Sequence, residues 1–320
     1  GNLEGNISED LTVISTGFTL TVVVTKFRYH QKRWSRFFQI ITDFREFGKP
    51  TTFDEITAKT NFYCTIYMIY CISGVMFYGA VSRFESTCYE ISPNSPYRDF
   101  CGTFTPIWLP METLPISLKV VLSLIQYMLA THVTTGTAIS CAVTYTSTEY
   151  LISHKKYLKE KLLRVYKDDG FSKFDKLKFC VDYHNHILGI SRELDYLTNV
   201  TSGSMSLLCS IGFGCISNAV LKGKPFSGVV YLIGFVVALF LLCYSGQRLL
   251  EESLTVGDVA YETEWYTGTS KMAKLMQVII ARSQTPVTLA ASPCGIYSIP
   301  LFVMILKASY SYMTLLSQST

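Results

Sequence analysis

The chain has 320 residues, 49% of them hydrophobic and 14% aromatic, with charged residues held to 16% and a mean hydropathy of +0.27. A soluble globular protein carries about a quarter charged residues, and the shortfall here is bunched rather than spread. A soluble domain is therefore excluded, and the net charge of +4 is modest.

Taken in chain order, the first apolar run is Leu11–Thr25, which Phe27 and Tyr29 lengthen while Lys26 and Arg28 snorkel to the interface. Uncharged runs follow at Thr60–Ser82, Val120–Thr148, Tyr196–Leu221, Pro225–Gln247 and Ser283–Leu306. Each of these five exceeds the roughly 18–20 residues that cross a hydrocarbon core as a helix. The sequence thus predicts an all-α membrane protein with six visible transmembrane helices. Residue 1 is Gly and no signal peptide precedes the first run, so one earlier helix is expected, for seven in the complete chain.

If the chain enters at Leu11 from outside and alternates, 22 of the 28 Lys and Arg residues fall on the inner side, in 26–59, 150–198 and 246–286. The positive-inside rule selects this orientation, with a cytoplasmic N-terminus for the complete chain and an extracellular C-terminus. The longest outer loop, Glu85–Glu112, carries Pro93, Pro96, Pro106 and Pro110 and is expected to cap the outer face. Cys88 and Cys101 lie in it, where oxidising conditions would allow a disulfide. The outer sequon at Asn6 is a glycosylation candidate, whereas the sequon at Asn199 starts a span on the inner side and is expected to stay unmodified.

On the inside the helices are expected to run past the membrane. Leu151, Leu158, Leu162 and Val165 repeat at helical spacing; so do Val181, Leu188 and Leu194, then Leu249, Leu250, Leu254 and Val259, and finally Met272, Leu275, Met276, Ile279 and Ile280. Four amphipathic extensions need partners for their apolar faces, either within the subunit or also between subunits. Pro286 should break the helix after Gln284. The chain divides accordingly into an outer-facing helical region at 1–148, extensions interleaved with two spans at 149–286, and a last helix at 287–320.

Chemistry is sparse. His184 and His186, two residues apart on a helix, face away from each other and cannot share an ion. His132, alone in mid-span, is expected to face the bundle interior, either bonding a neighbouring helix or touching a ligand. Glu251, Glu252, Glu262 and Glu264 are expected to form a solvated, salt-bridged face. Phosphate loops, nucleophile elbows, HExxH and paired intramembrane carboxylates are all lacking, so neither an enzyme nor a proton-coupled transporter is expected, nor any metal, cofactor or nucleic-acid partner; a transporter of another kind stays open on hydropathy alone. The tail Ser309-Tyr310-Ser311-Tyr312-Met313-Thr314-Leu315-Leu316 mixes hydroxyls with bulky apolar groups, which suits either a pore wall that gates by dewetting or a packed helix with interfacial tyrosines.

Gly246-Gln247, Glu252-Ser253, Ala260-Tyr261 and Trp265-Tyr266, together with the ending Lys307-Ala308-Ser309-Tyr310-Ser311-Tyr312 and the pattern Cys101…Trp108-Leu109-Pro110, resemble the insect odorant receptor family. That resemblance implies a subunit of a hetero-tetrameric, ligand-gated cation channel, assembled with an odorant co-receptor in the plasma membrane of olfactory sensory dendrites. It implies a cytosolic anchor built from the helical extensions and a pore lined by the last helix, gated at Met313 and Leu316, with Tyr312 or Leu315 if the register slips. It also implies an apolar pocket for small volatile ligands in the outer halves of the membrane helices, where Ser15, Phe18, Ser73, Phe77, Tyr78, Tyr127, Met128 and Phe213 lie. A gustatory-type channel of the same fold would more often end in a Thr-Tyr…Gln-Phe pattern. A G-protein-coupled receptor would show the opposite orientation with Asp-Arg-Tyr and Asn-Pro-x-x-Tyr signatures.

Overall fold

The computed structural model describes residues 4–81, 99–100, 107–108, 115–167, 173–221 and 225–318. Helices account for nearly all of it: α1 (Glu4–Tyr29), α2 (Gln31–Ile41), α3 (Phe53–Val81), α4 (Ile116–Val165), α5 (Lys173–Leu221), α6 (Pro225–Glu262), α7 (Ser270–Ser283) and α8 (Ile299–Gln318). Two strand pairs interrupt them. Asp99–Phe100 (β1) pairs with Ile107–Trp108 (β2), and Ala290–Ala291 (β3) pairs with Gly295–Ile296 (β4), both antiparallel.

Among the described residues four helices are long and apolar enough to cross a membrane: α3, α4, Lys173–Ser217 of α5 and Leu232–Glu262 of α6. The 26-residue α1 absorbs the run at Leu11–Thr25 and carries Lys26 and Arg28 in its last turn. The run at Ser283–Leu306 is not one helix. Instead α7 stops at Ser283, a connector containing β3, the cis Ser292–Pro293 bond and β4 follows, and α8 begins only at Ile299. Pro286 supplies the break, because its ring clashes with the carbonyl four residues back and it has no N–H to donate.

The three longest helices run without a break from membrane to extension: 50 residues in α4, 49 in α5 and 38 in α6. Their inner ends, basic in α4 and α5 and acidic in α6, gather with α2 and α7 around one core. Leu151, Leu158 and Leu162 of α4 are fully buried there against Leu177, Tyr183 and Ile187 of α5, Leu249 and Val256 of α6 and Met276 of α7. The α6 stripe sits one face round from expectation. Leu249, Val256 and Ala260 are buried while Leu254 is exposed, because the buried face follows the groove between α4 and α7 rather than the bulkiest side chains.

Alpha-helix α2 (QKRWSRFFQII) alternates cations with aromatics so that Trp34, Phe37 and Ile41 turn inward. Trp34 stacks between Phe27 at 5.1 Å and Phe38 at 5.8 Å between ring centroids. Buried His154 ties three elements together. Its Nε2 lies 2.9 Å from the Ile41 carbonyl and must carry the proton, so neutral Nδ1 accepts from the Tyr183 hydroxyl at 2.6 Å. Two ion pairs join α4 to α6: Glu149 with Arg248 at 2.6 Å, and Lys159 with Glu252.

Candidate functional site

The connector between α7 and α8 is non-helical backbone wedged between long helices, so its N–H groups need acceptors from elsewhere. Side chains of α5 and α6 provide them. The Ala290 N–H donates to Asp195 Oδ1 at 2.6 Å and the Ser292 N–H to Asn199 Oδ1 at 3.0 Å, both on α5. From α6, Ser253 Oγ accepts from the Val287 N–H at 2.8 Å and Gln247 Oε1 from the Ile299 N–H at 3.4 Å. The hairpin closes on itself through Cys294 N–H to the Ala291 carbonyl at 2.7 Å and Tyr297 N–H to the Leu289 carbonyl at 2.9 Å.

Asp195, Asn199, Ser202 and Gly203 recur at i, i+4, i+7 and i+8, so they share one face of α5. Ser202 offers its carbonyl to the Tyr297 hydroxyl at 3.1 Å. Gly203 lets the connector approach, since a Cβ there would lie 1.7 Å from the Ser292 carbonyl oxygen. Gly246 on α6 does the same for Tyr297, whose carbonyl oxygen would sit 2.5 Å from a Cβ. Beyond the connector, α8 continues along α5. Ser309 Oγ reaches the Ser210 carbonyl at 3.3 Å and Tyr312 lies over Gly214.

Among the described residues of α8, Tyr310 is 65% and Tyr312 54% exposed, on different sides of the helix, with Tyr312 reaching along α5. Met313 is half-buried, and the side chains of Leu315 and Leu316 lie outside the described residues. Helix α8 carries one cation, Lys307, and no carboxylate.

The expected pocket residues divide into two groups. Phe18, Ser73, Phe77 and Met128 are exposed on the outside of the bundle, with Ser15, Tyr78 and Tyr127 half-buried, whereas Phe213 is buried and meets Phe235 edge-on at 6.4 Å. The Tyr127 hydroxyl bonds Met76 Sδ, which brings α4 against α3 one residue before Phe77. A cavity of about 10 Å³, lined by Tyr63, Cys64, Tyr67, Cys141, Tyr145 and Leu242 among others, lies between α3, α4 and α6 and has room for about one water. It contains none of the expected pocket residues.

His132 is exposed rather than turned inward, whereas the buried face of α4 begins further along, at Ala138 and Ser140. His184 and His186 do point apart. His184 is buried and pushed down to about 4 by burial and by Lys155 and Arg282, while His186 packs on Phe47 at 4.9 Å. No trio of His, Cys, Asp or Glu among the described residues could hold a metal ion. Glu262 and Glu264 are exposed and Glu251 bonds Gln247, so the acidic stretch is a solvated face, with Glu252 paired to Lys159. Asn199 Oδ1 is occupied by the connector. Cys88 and Cys101 lie outside the described residues, as does the side chain of Asn6.

Sequence reasoning missed the acceptors Asp195 and Asn199. The available signal was Pro286, Pro293, Gly295 and Pro300 in one run, which announces unpaired backbone and therefore acceptors on a neighbouring helix.

An all-helical membrane protein, with long helices running unbroken into an extramembrane bundle and a last helix set off by a clamped connector, defines the class. The model of the 7tm Odorant receptor family matches residues 6–310, and the chain belongs to that family. It is 31% identical to Odorant receptor 22c of Drosophila melanogaster over 44% of this chain and 36% of that protein. It is 24% identical to the odorant receptor coreceptor of Aedes aegypti over 44% and 31% respectively. These matches thus span about a third of the length of the curated relatives. Over 100% of this chain and 83% of the other, the fold is that of the insect olfactory receptor OR5 from Machilis hrabei, solved in complex with eugenol, with a TM-score of 0.82 at 15% identity.

Proposed function

We propose that this chain is the odour-binding subunit of a hetero-tetrameric, ligand-gated cation channel, completed by an odorant co-receptor subunit. The observation that carries the reading is α8, an apolar helix without a carboxylate, fastened at one end by the connector, with Tyr310 turned out at 65% exposure. Hydroxyls and aromatics left exposed on α8 among the described residues suit a water-filled path shared between subunits. The exposed apolar residues Tyr261 at the end of α6, Tyr266 in the turn after it and Val278 on α7 suit contacts between the extensions of neighbouring subunits.

The ligand class follows from the side chains of the outer membrane halves. Phe18, Phe77, Tyr78, Tyr127, Met128 and Phe213, with Ser15 and Ser73, offer dispersion contacts and few fixed polar groups, as a small volatile molecule requires. The solved relative with eugenol bound supports a ligand of that size. Binding opens the pore by favouring the open arrangement of α8 over the closed one, by as much as the two affinities differ.

The test is whole-cell current from cells expressing this chain, preceded by a first helix where needed, with and without a co-receptor, under a panel of volatiles. Cation current evoked only in the presence of the co-receptor supports the reading. Surface expression without current to any volatile overturns it and favours a receptor for non-volatile tastants of the same fold.

A further inference from the structure

We propose that Asp195 and Asn199 of α5, with Ser253 and Gln247 of α6, are positioning residues that couple movement of the bundle to α8. The proposal rests on the channel reading above. Four connector N–H groups, at Val287, Ala290, Ser292 and Ile299, each end on a side-chain acceptor, two from each long helix. Ordinary hairpins satisfy such groups with their own backbone or with water. Here the acceptors belong to helices that run on past the connector, α5 toward Phe213 and α6 toward the opposite end of the bundle.

The junction is tight as well as bonded. Gly203 and Gly246 bring helix backbone so close to Ser292 and Tyr297 that neither site has space for a methyl group. A shift or rotation of α5 therefore cannot be taken up by slack. It must move Ala290 and Ser292, and through Tyr297 and Ile299 the start of α8. The same geometry gives a physical reason for Gly246-Gln247 and Ser253, each of which meets the connector or the start of α8.

The experiment compares the wild-type chain with Asp195→Ala, Asn199→Ala and Ser253→Ala, each co-expressed with the co-receptor. It reads surface level, resting current and the full concentration–response to one activating volatile. Loss of a bond to each N–H is expected to move the half-maximal concentration about tenfold and to change the ratio of resting to evoked current. Asp195→Asn, which keeps an oxygen acceptor, should return the response to within about threefold of wild type.

A purely structural role would lower surface level and scale current equally at every concentration. That pattern, or responses identical to wild type in all three variants, overturns the proposal. Should an α5 variant stay inside the cell, Ser253→Ala decides, because it removes one acceptor without touching a charge. A wild-type chain that reaches the surface and passes no current defeats the channel reading itself, whereas a conducting wild type with unshifted variants defeats only the coupling.

Discussion

Lys155 carries its ammonium into the inner bundle, 1% exposed and without a hydrogen-bond partner among the described residues. Burial pushes it down to about 8 from the usual 10.5, against the pull of Glu252 and helped by Lys159. The folded chain thus holds its proton less tightly than the unfolded one, and stability should rise with pH between about 8 and 10.5. Lys155→Met removes a buried charge while leaving Glu252 paired to Lys159. We expect a higher melting temperature for the detergent-purified protein at pH 7 and a flatter slope between pH 8 and 10. A lower melting temperature at pH 7 contradicts this account. Glu149 makes the opposite case. Its side chain is 6% exposed and bonded to Arg248, which also lies over the Tyr244 ring. Glu149→Ala leaves a largely buried guanidinium without its counter-charge and should cost about 3 kcal/mol, read as a fall in melting temperature and surface level.

At the scale of elements, α2 shows how the inner end is fixed. Trp34 is 6% exposed and touches Phe27, Phe37 and Phe38, so Trp34→Ala should destabilise by about 3–5 kcal/mol, with Trp34→Phe costing much less in the same melting assay. The long helices were legible in the sequence, because an uncharged run followed by an apolar stripe at helical spacing continues one period across the membrane boundary. Pro286 likewise announced the end of α7 correctly. What the sequence did not disclose was the hairpin at 290–296, because an apolar run of 24 residues reads as a span until one asks which acceptors its prolines leave backbone N–H groups to seek. The face of a helix was equally hidden. His132 is expected inside because it ionises, yet it is exposed; in a bilayer apolar residues are welcome on both faces, so periodicity loses the power it has in water to say which side turns in.

For the whole molecule, the described residues leave exposed Tyr310 on α8, which a shared pore would use, and Tyr261 and Tyr266 at the end of α6 and in the turn after it, which contacts between subunits would use. A packed helix facing lipid and a helix facing a water path differ in one accessible property, the reactivity of a thiol placed on that face. The most direct test is therefore Met313→Cys in the chain expressed with its co-receptor, treated from outside with a cationic thiol reagent while current is recorded. If α8 lines a gated cation path, the reagent should reduce odour-evoked current, and faster when applied together with the odorant than before it. Modification that proceeds at the same rate in both states, or a current untouched by saturating reagent on a thiol shown to have reacted, would contradict the account.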